Sequence, residues 1–222
     1  MFTRGFTVAA CILVGCSAVI GQTGRWEAGV HIGPGLGWLR GNRIADATDA
    51  LPGASSSATL RYAFSDRFGL RAGLGYQQKG MLVKMTLTDI NGNVLREVKS
   101  RIEMDYVMIP LLMQASFGSK ARLLVGVGPY AGLLLRSRQS FGDEDNFPTS
   151  ENTDYFEAWD FGVSASLGGA FPLSEALSIQ TEVRYDKGFT NISALPVVDD
   201  GSIRTHAVCL LVGASYRFGR SL

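Results

Sequence analysis

Apolar and polar positions alternate along two long segments of the chain that flank a short polar turn. The turn is Asp-Ile-Asn-Gly-Asn at positions 89–93, and Asn-Gly is a strong β-hairpin signal because both residues tolerate the positive φ of a two-residue turn. If Ile90 pairs with Asn93, then Tyr76 lies opposite Val107. Continued along both arms, this register gathers apolar side chains on one face and glycine, charged and amide side chains on the other.

The arms of this hairpin are longer than ordinary strands. Each runs for roughly twenty residues, whereas a strand of a globular protein averages about five or six. Long strands with one apolar face suit a wall whose apolar side contacts lipid and whose other side lines a lumen. The hairpin therefore predicts part of a membrane-spanning β-barrel.

Six further segments show the same alternation, and each predicts a strand. They lie at positions 26–38, 57–64, 123–132, 159–168, 177–186 and 208–218. Short turns at 65–66, 118–120 and 172–175 alternate with long connections at 40–57, 136–157 and 189–202, the first with a short helix at 45–51. Short turns at one rim and long loops at the other are typical of outer-membrane barrels, and an even number of strands lets the last pair with the first. The predicted fold is all-β, an eight-stranded antiparallel up-and-down transmembrane β-barrel.

The three-residue turn at 118–120 extends the register of the hairpin to the next strand. It predicts Leu123 opposite Ala115 and Val125 opposite Met113. The apolar face is then continuous over three strands.

The main alternative is a soluble eight-stranded barrel or sandwich with its apolar face buried. Glycine argues against it, because eight glycines share the mixed face: Gly29, Gly33, Gly73, Gly75, Gly126, Gly128, Gly162 and Gly168. Glycine weakens a solvated strand, whereas inside a narrow barrel it makes room for large neighbours. Aromatic residues also fall near the strand ends, as in the girdles of membrane barrels: Trp26, Phe64, Phe68, Phe117, Phe171, Tyr216 and Phe218 at the short-turn rim, and Trp38, Tyr76, Trp159 and Tyr185 toward the long loops.

The N-terminus has the features of an export signal. A basic residue precedes an apolar run at 6–20, and small or medium-sized residues precede a cleavage point near Gly21. The domain prediction is a signal peptide at 1–21 followed by an outer-membrane barrel domain at 22–222. A transmembrane helix is the alternative, but the run is short for about 30 Å of hydrocarbon. Leu-Val-Gly before Cys16 also resembles a lipobox, although the next residues stay apolar.

Composition narrows the classes of partner. The formal net charge is +1, and no basic patch indicates nucleic acid. After cleavage near Gly21, Cys209 is the one cysteine left, so the exported body has no internal disulfide. The predicted location is the bacterial outer membrane, with outer-membrane lipid and lipopolysaccharide as surroundings.

Charged residues of both signs fall on the predicted lumen face. They are Glu27, Arg61, Arg71, Lys79, Asp160, Glu182, Arg184 and Asp186. The interior of an eight-stranded barrel is only wide enough for side chains to fill, and buried charges must pair. Apart from Lys79, these residues are the predicted lumen charge network, interpreted as an interlocked plug instead of a conducting path.

Chemistry in the lumen or at the outer rim is the weaker hypothesis. His31 is expected to face the lumen, and His206 to lie near the outer rim of the last strand, where a nearby serine or acid would complete an acyl-transfer or deacylation site. The sequence has no local signature of such a site, so no catalytic residue, cofactor or metal ligand is predicted. The acidic loop with Asp143, Glu144 and Asp145 is interpreted as solvated charge, with divalent-cation binding as the alternative.

Two segments resemble a known family. Tyr-Val-Met-Ile-Pro-Leu-Leu-Met at 106–113 and Val-Gly-Val-Gly-Pro-Tyr-Ala-Gly at 125–132 are similar to the paired fourth and fifth strands of the PorT-like outer-membrane β-barrel family of Bacteroidetes. The long Asn-Gly hairpin and Ala-Ser-Tyr-Arg-Phe at 214–218 fit the same family. Met108 stands where the resemblance implies a glutamate. The resemblance implies a barrel without an assigned reaction, and the named member of the family implies a link to protein secretion.

The sequence thus predicts a small Gram-negative outer-membrane barrel with a side-chain-plugged lumen. Its expected role is structural or interactive, as an accessory to protein secretion, with other envelope or secretion proteins as partners. The alternative function is an outer-membrane lipid-modifying enzyme.

Overall fold

The computed structural model describes residues 25–89, 91, 94–141, 149–197 and 201–218. The predicted signal peptide at 1–21, with Cys16, lies outside these residues. So do Gly92 and Asn93 of the predicted turn and the acidic residues at 143–145.

The described chain is built almost wholly of strands. Eight are long: β1 (Arg25–Arg40), β2 (Asp49–Ala63), β3 (Phe68–Thr88), β4 (Val94–Phe117), β5 (Arg122–Phe141), β7 (Trp159–Pro172), β8 (Leu177–Gly188) and β9 (Arg204–Phe218). A two-residue strand, β6 (Ser150–Glu151), pairs with the end of β5. A four-residue helix (Arg43–Asp46) follows β1, and a 3₁₀ turn (Thr153–Tyr155) follows β6. None of the helices in the described ranges has the length and hydrophobicity needed to cross a membrane.

The sheet closes on itself. Each long strand pairs antiparallel with the next along the chain, and β9 returns to pair with β1 over most of its length. Closure leaves each long strand with a neighbour on both sides, which removes the exposed edges that lipid would not tolerate. The predicted eight-stranded antiparallel barrel is confirmed.

The register predicted from the hairpin turn is also confirmed. Tyr76 pairs with Val107, and the same register holds from Phe68 opposite Ala115 to Leu87 opposite Arg96. It shifts by one residue at the tip, where Thr88 pairs with Val94.

The predicted register between β4 and β5 is wrong by two residues. Ala115 pairs with Val125 and Met113 with Val127. The connection is longer than a three-residue turn, because Gly118 turns the chain with a φ of +101° and the first pair is Phe117 with Leu123. A shift of two residues preserves the faces of a strand, so the predicted apolar face survives the error.

The predicted loop at 40–57, with a helix at 45–51, is wrong as well. The helix lies earlier, at Arg43–Asp46, and β2 already begins at Asp49. The turn-like Pro52-Gly53 pair lies inside β2, where Pro52 pairs with Leu36 beside a register shift between Ala50 and Ser55. Proline is tolerated in strands at such irregularities.

The two faces of the wall decide between the membrane barrel and its soluble alternative. Leu74 on the outer face is 59% exposed, whereas Arg71 and Arg184 on the inner face are 5% and 3% exposed. Val125, Phe161 and Ile179 are also exposed on the outside. A soluble barrel would bury these apolar side chains, so the wall turns its hydrophobic surface toward lipid.

The outer apolar surface has the height of a bilayer. On β4 it runs from Phe117, near the short turns, to Val107, and the next outward residue is Asp105. At about 3.3 Å per residue and a tilt of about 40°, this stretch is about 25 Å tall, which matches the apolar band of transmembrane barrels. Exposed aromatic residues mark its two edges, including Phe64, Phe171 and Trp159.

Candidate functional site: the barrel interior

The seven residues predicted as the lumen charge network lie inside the barrel. Each of Glu27, Arg61, Arg71, Asp160, Glu182, Arg184 and Asp186 is at most 6% exposed. They reach the interior because side chains alternate between the two faces of a strand. They do not form one cluster, since their hydrogen bonds separate them into three levels along the barrel.

The middle level is centred on Arg71 and Glu182. Two guanidinium nitrogens of Arg71 donate to the two carboxylate oxygens of Glu182, the second (Nη2 to Oε1) at 2.8 Å. Paired N–H donors of this kind give a charge-assisted bond of defined orientation. In the adjoining layer of side chains, Asp186 Oδ2 accepts from Gln77 Nε2 at 3.0 Å and from Arg184 Nε at 3.3 Å.

The outer level is centred on Lys79. Its Nζ donates to Asp160 Oδ2 at 2.9 Å and to Thr205 Oγ1 at 3.1 Å, and lies 4.6 Å from the ring centroid of Tyr130. Both charged side chains are fully buried. The alternation of β3 is enough to place Lys79 in the lumen, but only the structure gives it this central position.

The inner level, near the short turns, is centred on Glu27. Its carboxylate accepts from Gln180 Nε2 and, at 3.3 Å, from Arg122 Nη2. Arg61, the remaining predicted charge, donates through Nη2 to Ser116 Oγ at 3.1 Å. Sequence reasoning missed Gln180 and Arg122. The alternation along β8 would have placed Gln180 inside, whereas Arg122 follows a turn whose length was predicted incorrectly.

The outer mouth of the lumen is apolar, which the sequence analysis did not predict. The buried cluster contains Leu39, Ala45, Ile102, Met104, Tyr106, Met108, Tyr130, Leu134 and Ile192, with Met81, Phe156 and Ile203 packed against it. Alternate residues of β4 from Ile102 to Met108 supply much of it, and the helix and the long loops supply the rest. Met108, at the position where the resemblance implies a glutamate, therefore packs in an apolar environment. Glycine makes room here, since a Cβ on Gly162 would lie 2.6 Å from Tyr130 Cε1.

The two histidines have an amide and a phenol as partners. His31 Nε2 donates to Gln180 Oε1 at 3.0 Å inside the barrel. His206 lies on the outer wall, where Nδ1 shares a 2.7 Å hydrogen bond with the Tyr185 hydroxyl and the ring stacks on Trp38. Neither pair is the His–Ser or His–carboxylate arrangement that the acyl-transfer alternative requires. In the described ranges, no group of three or more His, Cys, Asp and Glu side chains could hold a metal ion.

The barrel fold agrees with a comparison of the sequence with known protein families. The sequence model of the family described as "Outer membrane protein beta-barrel domain" matches residues 20–194. The chain belongs to this family. It is therefore a bacterial outer-membrane protein, and its apolar outer surface is the part that contacts lipid. The match is to the general outer-membrane barrel domain, which is coarser than the PorT-like resemblance.

Solved structures of other outer-membrane barrels are similar to this protein, at low sequence identity. The attachment invasion locus protein Ail of Yersinia pestis is 13% identical over 89% of this chain and 100% of its own, with a TM-score of 0.46. Neisserial surface protein A is 11% identical over 86% and 97%, with a TM-score of 0.46. The outer-membrane protease OmpT of Escherichia coli is 9% identical over 87% and 97%, with a TM-score of 0.44. At this level of similarity, we take no functional argument from any of them. The search of the curated proteins found no match.

Proposed function

We propose that the protein is a closed-lumen outer-membrane barrel with a structural or interaction role. The observation that carries the proposal is a set of side-chain bridges that cross the lumen from wall to wall. Around the ring of eight long strands, β3 lies opposite β8 and β1 lies opposite β5. Arg71 to Glu182 and Gln77 to Asp186 join the first pair of walls, and Glu27 to Arg122 joins the second.

The bridges and the apolar mouth oppose ion flow in two different ways. A permeating ion would have to separate buried, hydrogen-bonded charges, and an unpaired buried charge is costly. It would also have to pass the cluster around Met104 and Met108, whose mostly apolar side chains replace little of its water of hydration. The lumen therefore serves as a core that stiffens the barrel.

The β3–β4 hairpin is the element best placed for interactions. Among the residues that the structure describes, β2 pairs with β3 as far as Leu82, and β5 pairs with β4 as far as Ser100. Beyond these points, 83–88 and 94–99 pair with each other and extend the ribbon by about 20 Å at the rise of an antiparallel strand. The ribbon lies at the rim with the long connections, which faces the cell exterior in outer-membrane barrels. An accessory role in protein secretion is the finer form of the proposal, and it rests on the PorT-like resemblance of β4 and β5.

Conductance in planar bilayers tests the closed lumen. The wild-type protein is expected to give no stepwise ion currents, and Arg71→Ala is expected to stay silent because bridges remain above and below that level. Insertion is checked separately by flotation with lipid vesicles and by heat-modifiable mobility on gels. Current steps in the wild type whose size changes in Arg71→Ala or Glu182→Ala would show a pore and contradict the proposal.

Photo-crosslinking in intact cells tests the interaction role. A crosslinking amino acid at Asn91, which is exposed at the hairpin tip, is expected to give discrete adducts with envelope proteins. The matched control is the same substitution at Lys120, an exposed residue of a short turn at the opposite rim. An adduct pattern at Asn91 no stronger than at Lys120 would contradict an interaction role for the hairpin.

A further inference from the structure

We propose that the outer wall of β4 and β5 carries a binding site for a phosphate group of lipopolysaccharide, formed by Arg136 and Arg138. The site lies on the lipid-facing side of the wall and is separate from the lumen. It therefore goes beyond the proposed function and does not depend on whether the lumen conducts.

An irregularity in the sheet directs both arginines outward. On β5, even-numbered residues such as Leu124 and Leu134 face the lumen, so Arg136 would be expected to face inward too. The β4–β5 register shifts between Asp105 and Tyr106, which pair with Arg136 and Leu134. Leu135 is left as the extra residue, and beyond it the faces of β5 are exchanged, so that Ser137 is buried and Arg136 is exposed. A bulge that re-aims side chains in this way is typical of functional positions on a sheet.

The arginines lie at the level of the lipid headgroups. On β4 the outward residues change from Val107 to Asp105 at the top of the apolar band, and on β5 they change from Leu135 to Arg136 at the same height. The outward-facing Tyr76 and Trp159 lie just below this boundary, where aromatic girdles meet the headgroups. The long loops start from the same rim, so the headgroups here belong to the outer leaflet.

Two acids hold the arginines in place. Arg136 Nη2 donates to Asp105 Oδ2 at 3.1 Å, and Arg138 Nη2 donates to Glu103 Oε2 at 3.4 Å. Asp105 is nearly buried and also accepts from the Tyr76 hydroxyl at 2.6 Å and from Gln78 Nε2 at 3.2 Å. The Asp105 carboxylate is thus held in place and in turn orients the guanidinium groups. The arginine side chains therefore lose less conformational entropy when a ligand binds.

The arginines keep donors for a further anion. Their side chains are 47% and 35% exposed, and a guanidinium has five N–H donors in a planar fork that matches phosphate oxygens. A phosphorylated lipid headgroup at this height presents oxygens that accept from these N–H donors.

Binding of lipid A in neutral detergent tests the site. Native mass spectrometry of the purified full-length protein is used to titrate lipid A bearing both phosphates and the same lipid A after dephosphorylation. For the wild type, the dissociation constant of the phosphorylated form is expected to be about one tenth of that of the dephosphorylated form, or lower. Arg136→Gln/Arg138→Gln is expected to bind both forms with the affinity that the wild type shows for dephosphorylated lipid A.

The matched control removes two positive charges from the opposite rim. Arg67→Gln/Lys120→Gln, at exposed positions of two short turns, is expected to bind like the wild type. Equal binding of the two lipids by the wild type would overturn the proposal without reference to any variant. So would competition by inorganic phosphate at concentrations equal to those of lipid A, or an equal loss of binding in both double variants.

Discussion

Lys79→Met is expected to lower the free energy of unfolding by about 3–5 kcal/mol, since removing one partner of a buried ion pair leaves an uncompensated charge. Lys79 and Asp160 are both fully buried, and Nζ lies 2.9 Å from Oδ2. Methionine keeps most of the side-chain volume, so the loss reports the charge and its hydrogen bonds. Urea-induced unfolding of the protein in lipid vesicles, followed by tryptophan fluorescence, gives the free energy.

Lys84→Met is the control for this prediction. Lys84 forms an ion pair of 2.7 Å with Asp49, but the two side chains are 59% and 54% exposed, so about 0–1 kcal/mol is expected. The double variant Lys79→Met/Asp160→Asn removes both buried charges and is expected to recover most of the loss. A Lys79→Met variant as stable as Lys84→Met would show that the outer level of the lumen admits water and that the lumen is not closed there.

Val127→Arg is expected to lower the free energy of unfolding in vesicles by about 2–4 kcal/mol, the cost of placing an arginine at the bilayer midplane of a barrel. Val127 pairs with Met113 near the middle of the apolar band, and it is 55% exposed. On a water-facing surface, the same change would cost about 0.5 kcal/mol or less. Urea titration in vesicles, as for Lys79→Met, measures it.

Leu135→Arg is the matched control for depth. Leu135 is on the same strand and is 53% exposed, nearly the same as Val127, but it lies at the outer edge of the band beside Arg136. About 0–1 kcal/mol is expected there, because the cost of an arginine falls toward the interface. Equal costs at the two positions would mean that depth in a bilayer does not govern this wall, which would contradict the orientation of the barrel.

The two predictions concern opposite faces of the barrel wall, one facing the lumen and one facing lipid. Which face a residue belongs to is the feature that the sequence predicts best. The side-chain period of a strand is a local property of the backbone. It was therefore enough to assign Leu74 to the outside and Arg71 to the inside before any strand pairing was known. The hairpin register could also be predicted, because a tight turn fixes the pairing of the residues that it joins.

Errors arose where a connection or an irregularity set the geometry. The Gly118 turn moved the β4–β5 register by two residues, and Pro52 and Gly53, strong turn signals in isolation, lie inside β2 because β1 pairs along them. The predicted connection at 136–157 begins too early, because β5 continues to Phe141. Arg136 therefore lies on a strand, and the bulge beside Leu135 directs it to the outer wall.

The sequence by itself determined the number of long strands, their faces and the register of the hairpin, since these follow from the pleat period and from one turn. Only the tertiary structure decided that Arg71 meets Glu182, that Lys79 meets Asp160, and that Met104, Met108 and Ile192 close the outer mouth. The two ion pairs join strands on opposite or distant walls, and the apolar mouth joins β4 to the long loop after β8. Their partners depend on the stagger accumulated around the closed barrel, which no local segment of the chain encodes.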